Sequence, residues 1–217
     1  MGIAIYGAGG FGREVAPIAR EMLRESGQGQ DNIVFVSDRE ELHGTSINGI
    51  QVVPPTTLTA PEFTKYSVAV ALADAKARKE IAEKCKNLKL TAGAIHSKFC
   101  RIYDNVRIGE GSIICDYSII TSDVVIGSHF HSNIYSYVAH ECVIGDFVTL
   151  APRVCINGRV IVEDDVYIGT GAIIRDGKPN RPLVIGKGAV IGMGAVVTRD
   201  VPPGATVVGN PARPLER

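Results

Sequence analysis

An aliphatic residue recurs at every sixth position through the middle of this chain of 217 residues. Neither an α-helix, which repeats every 3.6 residues, nor an ordinary strand, which alternates every two, keeps one position in phase over so long a run. A parallel β-helix does, because each hexad supplies one short strand and one corner, and three hexads close a triangular coil. The positions in phase are Ile102, Ile108, Ile114, Ile120, Ile126, Val138, Ile144, Leu150, Ile156, Val162, Ile168 and Ile174. We therefore predict a parallel β-helix with these side chains on its axis.

The repeat is interrupted at two points. Ser132 occupies one axial position, and this polar residue indicates that the position has a role other than filling the core. The phase also breaks between Ile174 and Val184, and the polar, turn-forming residues 175–184 predict a loop extruded from the helix. The hexads make about five coils, and residues 18 apart should stack at the strand spacing of about 4.8 Å. After them, the prolines and glycines of residues 200–213 indicate a chain leaving the last coil.

A different pattern precedes the repeat. Residues 2–6 are typical of a buried strand, residues 7–12 of a glycine turn and residues 13–24 of a helix, and a second strand over residues 33–36 is followed by Asp38. Such a turn lets backbone N–H groups approach a diphosphate at the helix start, and an acidic side chain after the second strand can bind a ribose or a base. Nucleotide binding is one interpretation. The alternative is that these glycines only allow tight packing of helix on strand.

A third strand over residues 68–72 and a second helix over residues 75–86 complete only about half of a dinucleotide-binding fold. We predict an α/β, half-Rossmann domain over residues 1–93, followed by the β-helix domain over residues 94–217. A dehydrogenase would need a second half and a catalytic domain. The expected ligand is therefore a nucleotide carried by the substrate rather than a redox cofactor.

Composition narrows the range of partners. The chain has 23 basic and 23 acidic residues, so no net charge favours nucleic acid or a membrane surface. It begins without a basic, apolar leader and has no apolar run long enough to span a membrane, which predicts a soluble, cytoplasmic protein. Its five cysteines form no CxxC pair and are expected to be inert, reduced thiols.

Three of the five histidines, His129, His131 and His140, lie close together in the sequence, inside the repeat. Zinc would need imidazoles that converge from stacked or facing positions, but no two of these histidines are separated by three hexads, the spacing of stacked positions. His140 followed by Glu141 suits a general base, because imidazole titrates near neutral pH and a carboxylate can orient the ring. A surface histidine is the remaining alternative. We predict a general base and no metal.

Four segments together resemble a known family: the glycine loop 7–12, residues 140–147 (His-Glu-Cys-Val-Ile-Gly-Asp-Phe), Gly158, and the tail 208–212 (Val-Gly-Asn-Pro-Ala). They are similar to the sialic acid O-acetyltransferase type of hexapeptide-repeat sugar acyltransferases. Within that group the chain is most similar to the acetyl-CoA-dependent N-acetyltransferases of nucleotide-linked 4-amino-4,6-dideoxy sugars of the bacillosamine-pathway type. The resemblance implies a left-handed β-helix, a homotrimer and acetyl-CoA as co-substrate.

The resemblance also implies residue roles. His140 matches the catalytic base, Glu141 its acidic partner, and Gly158 the glycine whose backbone N–H faces the thioester oxygen. The 18-residue spacing agrees, because it places Gly158 one coil above His140, where an oxyanion donor is useful.

Ligand contacts follow from the same resemblance. Gly9, Gly10 and Phe11 match the loop on the substrate's diphosphate, and Ser37 and Asp38 match the pair at the nucleotide base. For coenzyme A, the matching positions are Thr170, Gly192 and Met193.

One position departs from the family. Many members have a second histidine nine residues after the base, where it contacts the acetyl donor, and this chain has Thr149. By the 18-residue spacing His131 lies one coil below Thr149 and is a candidate substitute for the missing imidazole. In the extruded loop, Lys178 and Arg181 could meet coenzyme A phosphates, or the loop is an ordinary solvated turn.

We therefore predict an N-acetyltransferase that acts on the 4-amino group of a UDP- or dTDP-linked 4-amino-4,6-dideoxy sugar for bacterial surface glycan biosynthesis. Direct attack of the amine on the thioester requires no covalent acyl-enzyme. Two alternatives remain: an O-acetyltransferase of sialic acid or another sugar hydroxyl, and a non-catalytic β-helical scaffold that binds nucleotide sugars.

Overall fold

The structure is a computed structural model that describes residues 2–215. Contacts between Cα atoms divide it into two compact units. The first comprises the described residues up to Ser97 together with Glu110–Ile113, and the second comprises Lys98–Gly109 together with the described residues from Ile114 onward. The domain boundary expected between residues 93 and 94 stays a prediction.

The N-terminal unit is built on a six-stranded sheet. Its elements are β1 (Gly2–Tyr6), α1 (Gly10–Glu25), β2 (Ile33–Val36), β3 (Ser46–Ile47), β4 (Ile50–Val53), β5 (Tyr66–Val70), α2 (Ala75–Asn87) and β6 (Thr91–Ala92), with 3-10 helices at Glu40–Leu42, Pro55–Thr59 and Pro61–Phe63. The strand order is β3-β4-β2-β1-β5-β6, and all pairs are parallel except β3 with β4. The first two strands are buried along their whole length, which fits the apolar runs that predicted them.

Two features of this unit were not predicted. Helix α1 begins at Gly10 rather than Arg13, because Gly9 has extended backbone at the N-cap and its carbonyl accepts from the Arg13 N–H at 3.0 Å. A hairpin joins β3 and β4 through Asn48 and Gly49, whose φ angles are 52° and 73°. Asn-Gly is a strong signal for a tight hairpin, so the sequence did contain this turn.

The β-helix is built from short strands. In chain order β7 to β25 are Ile95–His96, Arg101–Ile102, Arg107–Ile108, Ile113–Ile114, Ile119–Ile120, Val125–Ile126, His131–Ser132, Tyr137–Val138, Val143–Ile144, Thr149–Leu150, Cys155–Ile156, Val160–Val162, Tyr167–Ile168, Ile173–Ile174, Leu183–Ile185, Val190–Ile191, Val196–Val197, Thr206–Val208 and Arg213–Pro214.

Within the repeat, a strand pairs in parallel with the strand three places further along the chain, which produces three flat faces. Face 1 contains β8, β11, β14, β17, β20 and β23, face 2 contains β9, β12, β15, β18 and β21, and face 3 includes β13, β16, β19, β22 and β24. The predicted fold class, a half-Rossmann domain followed by a left-handed parallel β-helix, is confirmed.

The aliphatic positions stack in the predicted register. On face 1, Ile120, Val138, Ile156 and Ile174 are consecutive partners and are at most 1 % exposed. Ser132 is also buried on the axis, where its hydroxyl donates to Ser118 Oγ at 3.1 Å. The expectation that Ser132 serves something other than core filling stays a prediction, and the hydrogen bond satisfies its hydroxyl inside the core.

The end of the repeat differs from the prediction. The chain does not leave the helix from residue 200, because Thr206–Val208 forms one more strand on face 3, with Ile191 opposite Val207. These partners are closer in sequence than three hexads, which is why the six-residue period missed the strand. Strand β21 begins at Leu183, so the extruded loop occupies residues 175–182 rather than 175–184.

The corners between faces have left-handed backbone. Ten non-glycine residues in the repeat adopt φ between 54° and 62°: Asn105, Tyr117, Asp123, His129, Tyr135, Glu141, Phe147, Arg153, Arg159 and Asp165. Two of these corners contain candidate site residues or their neighbours. The Glu141 corner, between faces 1 and 2, contains Asn105, Asp123, Glu141 and Arg159, and the Tyr135 corner, between faces 3 and 1, contains Tyr117, Tyr135, Arg153, Gly171 and Gly194.

Candidate active site

His140 and Glu141 form a close pair at the Glu141 corner. Strand β14 ends at Val138, and the left-handed backbone of Glu141, with φ of 59°, turns the chain so that its carboxylate lies beside the imidazole. His140 Nδ1 lies 2.9 Å from Glu141 Oε2, and both side chains are about half exposed. A carboxylate only accepts, so the Nδ1–H of the ring donates to it, and in the neutral ring Nε2 keeps a lone pair for a proton.

Arg159 completes this group, and sequence reasoning missed it. Its guanidinium lies 2.8 Å from Glu141 Oε2, and its backbone N–H donates to the His140 carbonyl at 3.0 Å. Arg159 stands three hexads after Glu141, so the spacing that identified Gly158 could also have identified Arg159. The ion pair holds the carboxylate in place and shares its negative charge between the imidazole and the guanidinium.

Gly158 lies directly over the His140 ring, as the spacing predicted. A Cβ at this position would lie 2.6 Å from both Cε1 and Nε2 of His140. Within residues 2–215 the Gly158 N–H has no hydrogen-bond acceptor, whereas its carbonyl accepts from the Gly177 N–H at 2.9 Å. Gly158 therefore brings a backbone N–H without a protein acceptor to the coil directly above the candidate base, and its role as an oxyanion donor stays a prediction.

The residues matched to the acyl donor lie at a different corner from His140. Thr170, Gly192 and Met193 follow strands of face 3 and reach the Tyr135 corner, where the Gly194 N–H donates to the Thr170 carbonyl at 2.8 Å. Thr170 is exposed, and Met193 has 80 % of its surface exposed. The structure therefore brings these three residues together but does not bring them to His140 within one chain.

Thr149 and His131 lie on face 3 as Cα partners, which agrees with the predicted stacking. Thr149 is 7 % exposed and His131 is 1 % exposed. The role of His131 as a substitute imidazole stays a prediction, and its burial weakens it. The third clustered histidine, His129, stacks on Phe147 with ring centroids 5.0 Å apart.

In the N-terminal unit, Gly9, Ser37 and Asp38 line one cleft of about 390 Å³. Gly10 and Phe11, also predicted to bind substrate, begin α1 and do not line it. An added Cβ would meet nothing within 4 Å at either Gly9 or Gly10. The open backbone at these two positions can approach a ligand, as the nucleotide-binding interpretation requires.

Asp38 is held by two residues that the sequence did not reveal. The Tyr6 hydroxyl donates to Asp38 Oδ2 at 2.7 Å, and Lys84 Nζ lies 3.2 Å from Oδ1. Burial, and then the hydrogen bond to Asp38, raise the pKa of Tyr6 well above its usual range, so the phenol remains a donor. These contacts join residues 32 and 46 positions apart, which no local pattern indicates.

Ser37 belongs to the same cleft and is 8 % exposed. Its carbonyl accepts from His43 Nε2 at 2.8 Å, and its hydroxyl accepts from the Arg39 N–H at 3.1 Å. These bonds fix the backbone that follows β2.

Among residues 2–215, no group of three or more His, Cys, Asp and Glu side chains is arranged to hold a metal ion. All five cysteines are free, and burial raises the pKa of the Cys142 thiol to about 11. No helix within residues 2–215 is long and apolar enough to cross a membrane.

A triangular β-helix built from hexads, with a histidine–carboxylate pair at one corner, indicates a hexapeptide-repeat acyltransferase. Residues 2–85 match the family model described as the PglD N-terminal domain. Over 214 residues the chain is 46 % identical to the GDP-perosamine N-acetyltransferase of Escherichia coli O157:H7, and the match covers 98 % of this chain and 96 % of that protein. The chain therefore belongs to the hexapeptide-repeat N-acetyltransferases of nucleotide-linked amino sugars.

Solved structures agree with this assignment. WeeI from Acinetobacter baumannii AYE superposes with a TM-score of 0.94 at 45 % identity, over 99 % of this chain and 100 % of that one. The acetyltransferase domain of PglB from Neisseria gonorrhoeae FA1090, solved in complex with acetyl coenzyme A, superposes with a TM-score of 0.85 at 31 % identity, over 98 % of both chains. The predictions of the family and of an acetyltransferase are confirmed.

Proposed function

We propose that this enzyme transfers the acetyl group of acetyl-CoA to the 4-amino group of a nucleotide-linked 4-amino-4,6-dideoxy sugar. The observation that carries the proposal is the His140–Glu141 pair at 2.9 Å with the Gly158 backbone over the ring. Relatedness to a protein named GDP-perosamine N-acetyltransferase supports an amine acceptor over a hydroxyl. Relatedness to an acetyltransferase domain solved in complex with acetyl coenzyme A supports the acetyl donor.

The chemistry needs one base and one oxyanion donor. His140 Nε2 takes a proton from the sugar amine as its nitrogen attacks the thioester carbon. The Gly158 N–H stabilises the negative charge that develops on the carbonyl oxygen. Collapse of this intermediate forms the amide and breaks the carbon–sulfur bond, and the thiolate of coenzyme A takes the proton from His140.

Glu141 and Arg159 act on the base rather than on substrate. Glu141 accepts from Nδ1–H and so keeps Nε2 directed at the acceptor, and Arg159 holds the carboxylate from the coil above. A carboxylate paired with both groups stabilises the imidazolium that forms during the reaction.

For the nucleotide carrier, we propose GDP as a third candidate beside the UDP and dTDP predicted from sequence. The E. coli relative is named for a GDP-linked sugar. Each Asp38 oxygen accepts one bond from Tyr6 or Lys84, and a carboxylate has about four acceptor sites. Guanine presents two adjacent donors, N1–H and the 2-amino group, whereas uracil and thymine present one. The charged, pre-oriented carboxylate therefore favours guanine.

We also propose a homotrimer acting in the cytoplasm, in bacterial surface glycan biosynthesis. His140 lies at the Glu141 corner, whereas Thr170, Gly192 and Met193 lie at the Tyr135 corner. A site that uses both sets needs two chains, and a closed ring of identical contacts supplies this arrangement. Acetyl-CoA and nucleotide sugars are both cytoplasmic metabolites, which supports this location.

The test is a thiol-release assay with acetyl-CoA against GDP-perosamine, UDP- and dTDP-linked 4-amino-4,6-dideoxyglucose, and free sialic acid. We expect release with the nucleotide-linked amines and the highest kcat/KM with the GDP-linked one. His140→Ala should lower kcat by about 10²–10⁴-fold with its melting temperature unchanged. Release only with sialic acid would assign O-acetylation instead, and full activity of His140→Ala would refute the general base.

A further inference from the structure

The extruded loop is a small, ordered hairpin that presents two cations side by side. Lys178 and Arg181 exchange both backbone hydrogen bonds, at 2.9 and 3.0 Å, around Pro179 and Asn180. Residues paired in this way project their side chains on the same side, with Cβ atoms about 5 Å apart. Like charges directly opposite each other destabilise a hairpin, so an anion between them would relieve this repulsion.

A polar cleft of about 570 Å³ lies against this hairpin. It is lined by the cations Arg175, Lys178, Arg181 and Arg199 and the carboxylates Asp176 and Asp200, so four positive charges face two negative ones. Within residues 2–215 none of the four cations forms an ion pair. One oxygen of the Asp200 carboxylate is engaged by the protein backbone, because Oδ1 accepts from the Val184 N–H at 3.0 Å. The cleft therefore has unneutralised positive charge.

The cleft lies above His140 along the same corner. Gly158 covers the His140 ring, and the Gly177 N–H donates to the Gly158 carbonyl, so the loop leaves the helix two coils above His140. Val197, just before Arg199, pairs with Ile174 and lies one coil higher again. At about 4.8 Å per coil, the start of the loop lies roughly 10 Å and Val197 roughly 14 Å above His140.

We propose that this cleft binds the phosphates of the acyl-CoA donor, an inference that rests on the proposed function. The pantetheine arm between thioester and diphosphate has about as many backbone bonds as four to five extended residues, and so spans roughly 15 Å. A thioester carbon at His140 therefore places the diphosphate at the level of Arg199 and the hairpin. Guanidinium groups bind phosphate through paired N–H donors, and the lysine adds a point charge.

The experiment compares two donors that share the thioester and differ in the phosphates, acetyl-CoA and S-acetylpantetheine. Lys178→Ala with Arg181→Ala, and separately Arg199→Ala, are assayed with both. We expect the KM for acetyl-CoA to rise about tenfold or more, with kcat and the KM for S-acetylpantetheine unchanged. Arg107→Ala, which removes an exposed arginine from face 2, is the matched control and should change neither KM.

Other results would overturn the inference in distinguishable ways. An equal rise in KM for both donors would mean that the loop acts on protein structure, and no change would mean that the phosphates bind elsewhere. A rise confined to the KM of the nucleotide sugar would assign the cleft to the acceptor's diphosphate. In each of these cases acetyl transfer itself persists, whereas its absence from the unmodified enzyme would refute the proposed function.

Discussion

At the scale of single residues, the size of Gly158 controls the position of the base. The imidazole of His140 fills the space where a Cβ would be, and it keeps its bond to Glu141 only while that space is open. The ring is half exposed, so it can swing outward without disturbing the axis of the helix. Catalysis should therefore be more sensitive than folding to a methyl group at this position.

Gly158→Ala tests this separation. The added methyl would lie 2.6 Å from Cε1 and Nε2, so the ring must move away from Glu141. Misplacement of a catalytic group by about 1 Å can cost around 10²-fold, and we expect a loss of kcat of about 10–100-fold with the melting temperature nearly unchanged. Gly29→Ala is the control, since its Cβ would meet only Asn32 at 3.5 Å. Unchanged kcat would show that the ring does not need its observed position.

At the scale of elements, the corners combine an unfavourable backbone with favourable stacking. Tyr117 and Tyr135 have φ of 59° and 60°, in the left-handed region that costs L-residues roughly 1–2 kcal/mol. Their rings stack with centroids 5.0 Å apart and planes 10° apart, and the Arg153 guanidinium lies 5.7 Å from the Tyr135 centroid. An aromatic pair of this kind contributes about 0.5–1.5 kcal/mol, which offsets part of the backbone cost of its two residues.

Substitution of Tyr135 separates the two contributions. Tyr135→Ala loses the stacking and keeps the backbone cost, whereas Tyr135→Gly loses the stacking and removes that cost. We expect the alanine variant to be less stable than the glycine variant by about 1 kcal/mol, measured by chemical denaturation at one fixed protein concentration. A glycine variant less stable than the alanine variant, as the greater chain entropy of unfolded glycine alone would make it, would show that the corner imposes no backbone strain at this position.

How far the sequence predicts the molecule depends on whether a contact repeats. The six-residue period placed the axis, and the 18-residue spacing placed Gly158 over His140 and Thr149 over His131. The same spacing breaks near Thr206, where the coil is shortened, and strand β24 was missed.

Contacts in the N-terminal unit could not be found in this way. The bonds from Tyr6 and Lys84 to Asp38 depend on how β1, α2 and the end of β2 come together in three dimensions. No period in the sequence relates these positions. The candidate general base was therefore predictable, whereas the contacts that orient the Asp38 carboxylate were not.

For the β-helix as a whole, the three faces place the candidate base and the residues matched to coenzyme A at two different corners. Each coil visits face 1, face 2 and face 3 in turn, so His140 and Met193 lie at corners separated by a whole face of the prism. A chain on its own therefore presents a base at one corner and the residues matched to coenzyme A at another. The proposed trimer makes a specific claim, that each site takes His140 from one copy and Thr170 from its neighbour.

Mixed trimers test that claim. His140→Ala removes the proposed base. Thr170→Trp blocks the donor surface of the copy that carries it, which serves the His140 of the neighbouring copy. Each variant alone should therefore be nearly inactive. Equal amounts refolded or expressed together form trimers in which about a quarter of the sites pair an intact His140 with an intact Thr170. We expect thiol release to recover toward about a quarter of the unmodified rate, while mixing the separately assembled variants should recover none. If co-assembled variants stay inactive although trimers form, the base and the donor surface belong to one chain, and the shared site is wrong.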